Sequence, residues 1–263
     1  MKQIKLVATD LDGTLLGSDR KISENTKQVL QQLIKQGVKV VPLSGRPRSS
    51  IKEVFPGIDL EYLIGYNGGL IQKMDGTIIH QSIFSEEQID FLLSLNHPFA
   101  KGPYLLGANH FYLPKKVSKF QRELCETMWK MKSRQLTPAD HYKIIKCEYH
   151  GPRIFGAHFF KVIKPQLEPY FDVTSSGGWT LEMTNHDATK GNALEILRKK
   201  LGLDPSEVVV FGDNLNDVSA FRVPGITKVA MGNAIDEIKD LADDVTLTND
   251  QDGVAEFLKQ YCN

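Results

Sequence analysis

The sequence predicts an α/β fold, a parallel strand layer wrapped by helices and interrupted by a second, inserted α/β unit. An apolar run at 6–16 (LVATDLDGTLL), a helix-period segment at 21–37 and a continuous apolar run at 38–43 follow one another near the start. That strand, helix, strand order with strands apolar on both faces belongs to a parallel sheet joined by right-handed crossovers. The same alternation returns late in the chain, as a helix at 190–201 and an apolar strand at 207–211. Between about 83 and 187 it stops. A chain of 263 residues is long enough for a main domain carrying such an insertion.

Each element has its own signal. Strand residues alternate faces, so Asp10 and Asp12 at the end of the first strand project from the same side, and Gly13 and Thr14 turn the chain away. In the first helix Ser23 caps, Val29, Leu30, Leu33 and Ile34 recur at helical spacing, and Gly37 closes. The strand at 38–43 runs into Ser44, Gly45, Arg46 and Pro47, which open another helical segment. A third strand at 60–65 leads to the loop Tyr66, Asn67, Gly68, Gly69. Runs at 70–73 and 77–81 flank Asp75-Gly76, a hairpin signal.

Within the insertion Ser85 caps a helix that reaches Leu95. A strand at 111–113, a helix at 115–132 and strands at 143–149, 157–162, 171–174 and 180–184 follow. After the return come the strand at 207–211, another at 226–230, and helices near 234–242 and 252–261. The predicted organisation is a discontinuous main domain, 1–82 with 188–263, and an inserted domain, 83–187.

Bulk composition narrows the function classes. Hydrophobic content of 41% and charged content of 24% are those of an ordinary globular chain, and a formal net charge of zero makes no case for a nucleic-acid polymer as partner. The balance is local: between His97 and Pro165 there are 13 Lys or Arg against 4 Asp or Glu. Lys115, Lys116, Lys119, Arg122 and Arg153 either draw in an anionic substrate or solvate a surface. Gly177, Gly178 and Trp179 form either a substrate-facing loop or a hairpin turn with a packed tryptophan. Cys125, Cys147 and Cys262 show neither a zinc nor a disulfide pattern, which suits reduced thiols in the cytoplasm. No long apolar run precedes Asp10, so no signal peptide or membrane span is expected there.

The chemistry gathers at strand ends. Two carboxylates as close as Asp10 and Asp12 repel one another unless a hard cation such as Mg²⁺, or a shared proton, neutralises them; the plainer alternative is that they form a turn or cap a helix. Ser44 ends the second strand, and Asp213 and Asp217 follow the late one. Ligands of open parallel sheets bind at such carboxyl ends. Four carboxylates aimed at one crevice would suit Mg²⁺ with several waters retained, and a metal so held invites phosphate. Lys190, in the first turn of its helix and followed by Gly191, offers a cation and a helix N-terminus to the same anion, or is simply solvated.

These segments together resemble a known family. DLDGT at 10–14, LSGR at 43–46, Lys190-Gly191 and GDNLND at 212–217 occur in the order of the four motifs of the haloacid dehalogenase-like (HAD) phosphohydrolases. The NGG at 67–69, AMGNA at 230–234, DVTLTNDQDGVA at 244–255 and the late insertion resemble the Cof-like subfamily with a cap of the C2B type. The resemblance spans both halves of the main domain, about three-fifths of the chain. It implies a Rossmann-like HAD core with an inserted α/β cap, and a phosphatase that works through an aspartyl-phosphate with Mg²⁺ as cofactor.

By the same resemblance Asp10 is the nucleophile and Asp12 the general acid and base. The metal falls to the Asp10 carboxylate, the Asp12 backbone carbonyl and Asp213, and Asp217 orients a metal-bound water or Lys190. Ser44, Gly45, Lys190 and Asn216 fall to the phosphate. Arg46 reaches the substrate or pairs with a core carboxylate, and Asn67 is a turn residue or a substrate contact. Ser44 also fits the cap of the helix that follows. Ala220 and Asp187-Ala188-Thr189 depart from the usual subfamily pattern without removing a reacting group. The expected substrates are small phosphorylated metabolites, namely sugar phosphates, nucleotides or pyridoxal phosphate. The alternatives are a phosphomutase of the same superfamily and a non-catalytic phosphate-binding protein on this fold.

Overall fold

All four residues of the first strand, β1 (Leu6–Thr9), are buried, as a strand central in a sheet covered on both faces requires. The computed structural model describes residues 4–95, 101–114, 117–151, 156–176 and 180–262. Ser23 accepts the Thr26 N–H and starts α1 (Glu24–Lys35), which buries Val29, Leu30 and Leu33. Next come β2 (Lys39–Pro42), α2 (Arg48–Val54), β3 (Tyr62–Gly65), β4 (Leu70–Lys73) and β5 (Ile78–Gln81).

The inserted part contains α3 (Glu86–Ser94), β6 (Lys101–Leu106), β7 (His110–Leu113), α4 (Lys119–Trp129), β8 (Lys132–Gln135), β9 (Lys146–His150), α5 (Gly156–Leu167), β10 (Asp172–Ser176) and β11 (Thr180–Thr184). The chain then forms α6 (Lys190–Lys200), β12 (Val208–Gly212), α7 (Val218–Phe221), β13 (Thr227–Ala230), α8 (Asp236–Leu241), β14 (Asp244–Val245) and α9 (Gly253–Leu258).

Residues 1–79 and 189–263 form one unit and residues 80–188 another. In the first, five strands run in the order β14-β13-β12-β1-β2, parallel throughout. Thr9 aligns with Pro42 on one side and with Phe211 on the other, so the carboxyl ends of β2, β1 and β12 finish level. Leu30, Leu33, Leu194, Leu197, Ala255 and Leu258 close the two faces as part of one apolar core. The strand expected at 60–65 lies beside the end of β2 through a single parallel bridge, Leu43 with Ile64, and then opens the three-stranded sheet β3-β4-β5.

The second unit is built on a six-stranded sheet, β10-β11-β9-β6-β7-β8. On β9, Cys147 and Tyr149 enter an apolar core with Phe84, Leu105, Leu181 and Met183. The intervening Lys146, Glu148 and His150 are buried too. Lys146 Nζ lies 3.0 Å from Glu148 Oε1 and 2.6 Å from Glu182 Oε2, and His150 Nε2 lies 3.2 Å from Glu148 Oε2. A buried charge has to be paired in this way.

Two expectations for the insertion are corrected. Residues 157–162 are helical, not a strand, because a short apolar run fits either state; its continuation buries Ile163 and Leu167 four residues apart. The helix expected at 115–132 runs from 119 to 129: Ser118 caps it by accepting the Gln121 N–H, and Lys130 leaves the helix at φ 53°. Residues 132–135 are instead β8, paired in parallel with β7. The strand β6, which spans Pro103, carries no strand signal in the sequence.

Lys119 and Arg122 are exposed on α4, where Lys119 pairs with Glu123 at 3.8 Å. Lys115, Lys116, Arg153, Gly177, Gly178 and Trp179 lie outside the described residues. No helix among the described residues is long and apolar enough to cross a membrane, and none of the three cysteines is in a disulfide.

Candidate active site

Asp10 is the first residue past the buried β1, held there by its N–H to the Phe211 carbonyl at 3.2 Å. Because the neighbouring strands end level with it, Ser44 after β2 and Asp213 after β12 meet it at the same edge of the sheet. Lys190 opens α6, whose cap Thr189 accepts the Asn192 N–H. Its side chain has no solvent exposure, and Nζ donates to Asp10 Oδ1 and Asp217 Oδ1, each at 2.6 Å. The neighbouring Gly191 is what lets α6 come this close to α7: a Cβ there would lie 2.1 Å from the Ser219 carbonyl oxygen.

Asp217 holds the loop that carries Asp213. Its Oδ2 accepts the N–H groups of Asp213 at 3.0 Å and Asn214 at 3.2 Å, while Oδ1 takes Lys190. Asp213 Oδ1 accepts the Thr14 hydroxyl at 2.7 Å. Gly13, at φ 87°, makes room, since a Cβ at that position would stand 2.5 Å from Asp213 Oδ2. The turn after β1 is tied further by Asn233, which donates from Nδ2 to the Gly13 carbonyl at 2.8 Å and accepts the Asn249 N–H at 2.9 Å.

Asp10, Asp213 and Asp217 each bring a carboxylate oxygen within 4.8 Å of the others. Burial, joined by the charges of Asp217 and Asp213, raises Asp10 to about 7 against the pull of Lys190. Burial raises Asp213 as well, opposed by its bond from Thr14. Lys190 goes the other way: burial alone would lower it, but the two carboxylates outweigh burial and hold it charged. Three carboxylates against one ammonium leave a surplus of negative charge in a low-dielectric place. All-oxygen donors carrying such a surplus fit a hard divalent cation.

Asp12 is not part of this acidic group. Its exposed carboxylate is gripped at both oxygens by Arg46, with Nε donating to Oδ2 at 2.9 Å and Nη2 to Oδ1. Arg46 is thereby paired with a carboxylate of the neighbouring turn. Ser44 is buried, and its Oγ accepts the Arg46 N–H at 3.3 Å. The cap position of α2 is Pro47, so Ser44 is not its helix cap.

Asn216 is exposed on the loop after β12 and donates from Nδ2 to Asn67 Oδ1 at 3.4 Å. Asn67 is in the left-handed region at φ 54°, its N–H bonds the Ser44 carbonyl at 3.0 Å, and its amide lies over Gly45. It therefore touches the Ser44–Gly45 turn and Asn216 together. Its turn-forming composition concealed this role, and Asn233, Asn249 and Thr14 carried no local signal beyond the motifs around them.

The sequence pattern of the haloacid dehalogenase-like hydrolases matches residues 7–258. Phosphatase YwpJ of Bacillus subtilis is 28% identical, with 97% of this chain and 99% of that protein aligned. The 5-amino-6-(5-phospho-D-ribitylamino)uracil phosphatase YwtE of the same organism is also 28% identical, over 98% of each chain. The crystal structure of a haloacid dehalogenase-like hydrolase from Bacteroides thetaiotaomicron superposes with a TM-score of 0.78 at 27% identity, covering 98% of this chain and 99% of that one. With its four motifs brought to one sheet edge and nearly its whole length matched, the chain belongs to the haloacid dehalogenase-like hydrolases.

Proposed function

We propose that this hydrolase is a cytoplasmic, Mg²⁺-dependent phosphatase of small phosphorylated metabolites, acting through an aspartyl-phosphate on Asp10. The observation that carries the reading is the buried Lys190 bridging Asp10 and Asp217 beside Asp213. A carboxylate held by an ammonium at the end of a strand is a fixed nucleophile, and a carboxylate can form a covalent phosphoryl intermediate. The similarity to proteins named as phosphatases supports the same class of reaction.

In this reading Asp10 and Asp213, with the Asp12 carbonyl, hold the cation, and Asp217 supports them through the loop N–H groups and Lys190. Mg²⁺ bound there would offset the carboxylate charge and the charge of the phosphoryl oxygens. Asp10 attacks phosphorus in line with the leaving oxygen. Asp12 gives that oxygen a proton, then takes one from the water that hydrolyses the aspartyl-phosphate. Ser44, the Gly45 N–H, Lys190 and Asn216 donate to the phosphoryl oxygens. The unit containing β1 and α6 is the catalytic core, and the unit at 80–188 is the cap that selects the leaving group.

A screen of sugar phosphates, nucleotides, pyridoxal phosphate and ribityl phosphates, with and without Mg²⁺ and alongside Asp10→Asn, tests the proposal. Phosphate release that needs both Mg²⁺ and Asp10 is the expected result. Isomerisation without phosphate release would make it a mutase instead, and tight phosphate binding without turnover would make it a binding protein.

A further inference from the structure

The Arg46–Asp12 pair has a geometry its surroundings do not demand. The Asp12 side chain is 57% exposed and that of Arg46 29%, and pairs so exposed contribute little to stability. Yet the contact is a two-pronged fork, the arrangement that fixes both the plane and the direction of a carboxylate. The backbone of Asp12 is set by the turn after β1, where the Leu16 N–H bonds the Leu11 carbonyl at 2.9 Å. Its side chain is set by Arg46, the one side chain that hydrogen-bonds it among the described residues.

Arg46 itself starts from a fixed point. Its N–H bonds Ser44 Oγ at 3.3 Å, and its carbonyl accepts the Tyr66 N–H at 3.4 Å. The guanidinium therefore spans from the turn after β2 to the carboxylate after β1.

We infer that Arg46 is a positioning residue, which aims the Asp12 carboxylate at the leaving-group oxygen, rather than a phosphate-binding residue. The inference rests on the phosphatase reading, in which Asp12 exchanges the proton. In the first step the bond from Asp10 to phosphorus forms and that from phosphorus to the leaving oxygen breaks, while the leaving oxygen takes the proton from Asp12. In the second, water attacks phosphorus and yields its proton to Asp12, and the bond to Asp10 breaks to release phosphate. Transfer at each stage needs the Asp12 oxygen within hydrogen-bond reach of its partner. A freely rotating, half-exposed carboxylate would spend much of its time elsewhere.

Two monoesters of similar bulk separate the roles. The p-nitrophenolate of p-nitrophenyl phosphate departs without a proton, and the alkoxide of benzyl phosphate needs one. With Mg²⁺ present, Arg46→Gln should lower kcat/KM for benzyl phosphate about tenfold more than for p-nitrophenyl phosphate. Asp12→Asn should show the same selectivity more strongly, and adding Arg46→Gln to it should cost little further. Arg46→Lys, which keeps the charge but not the fork, should fall between wild type and Arg46→Gln, with melting temperatures unchanged throughout.

Equal losses on both esters, or a rise in KM alone, would place Arg46 on the substrate phosphate and overturn the inference. So would a leaving-group signature in Asp12→Asn that no Arg46 variant shares. A wild type inactive on both esters would bring down the phosphatase reading and this inference with it.

Discussion

Lys190 Nζ lies 2.6 Å from Asp10 Oδ1, with no part of the lysine side chain exposed. An ammonium there is held charged against the pull of burial by Asp10 and Asp217. Cutting the lysine back leaves buried carboxylates without their counter-charge. Lys190→Met is expected to destabilise the protein by about 3–5 kcal/mol, as removal of one partner from a buried pair does. Urea unfolding at neutral pH measures it. A change below about 1 kcal/mol would mean the pair is far better hydrated than its burial implies.

The acidic group of Asp10, Asp213 and Asp217 makes metal binding visible without any substrate. Mg²⁺ that binds only the folded chain stabilises it by about 2.7 kcal/mol at one hundred times its dissociation constant. The melting temperature should climb with added Mg²⁺ and fall back with chelator. Asp213→Asn, which removes one of the three clustered carboxylates, should abolish most of the rise. An equal rise in the variant would assign the binding elsewhere.

Stability of the inserted unit should fall in acid through Glu148. Burial would raise this carboxyl, but Lys146 at 3.0 Å and the bond from His150 outweigh burial and hold it at about 2, below the ordinary value of 4.5. A depressed folded-state value stabilises fully above the unfolded one. That contribution is lost as pH falls from about 4.5 through about 2. Hydrogen exchange of the β9 and β11 amides at pH 6 and pH 3 reads the loss, on the order of a few kcal/mol. Glu148→Gln should remove this dependence between the two pH values.

Asn233 ties the Gly13 carbonyl to the Asn249 N–H, and so braces the turn after β1. Asn233→Ala removes two hydrogen bonds at the surface, each worth about 1 kcal/mol or less. The turn carrying Asp12 and Thr14 loses its anchor, so kcat should drop roughly tenfold while stability changes by about 1–2 kcal/mol. An unchanged kcat would show that Thr14 and Asp213 hold the turn unaided.

The parallel core was legible because its strands are continuous apolar runs and its helices carry clear periods: Val29, Leu30 and Leu33 are buried as the spacing implies. The insertion was less so. The apolar run at 157–162 fits strand or helix, and only packing through Ile163 and Leu167 decides between them. At the site, Asp10, Lys190, Asp213 and Asp217 announced themselves as charges at element ends, and the fold brings them together. The pairing of Arg46 with Asp12 depends on two loops meeting 34 residues apart, which no local pattern encodes. Asn67 was hidden for a different reason: the left-handed backbone that suits asparagine in any turn is the one that turns its amide towards Gly45 and Asn216.

In the proposed mechanism Asp10 accepts the phosphoryl group. Rapid mixing of the enzyme with Mg²⁺ and an active phosphomonoester, acid quenching within one turnover and mass analysis of the digested protein test it most directly. The predicted result is a single phosphoryl adduct on the peptide containing Asp10, absent from Asp10→Asn. Turnover by the wild type with no adduct on that peptide at any quench time, together with sustained turnover by Asp10→Asn, would contradict it.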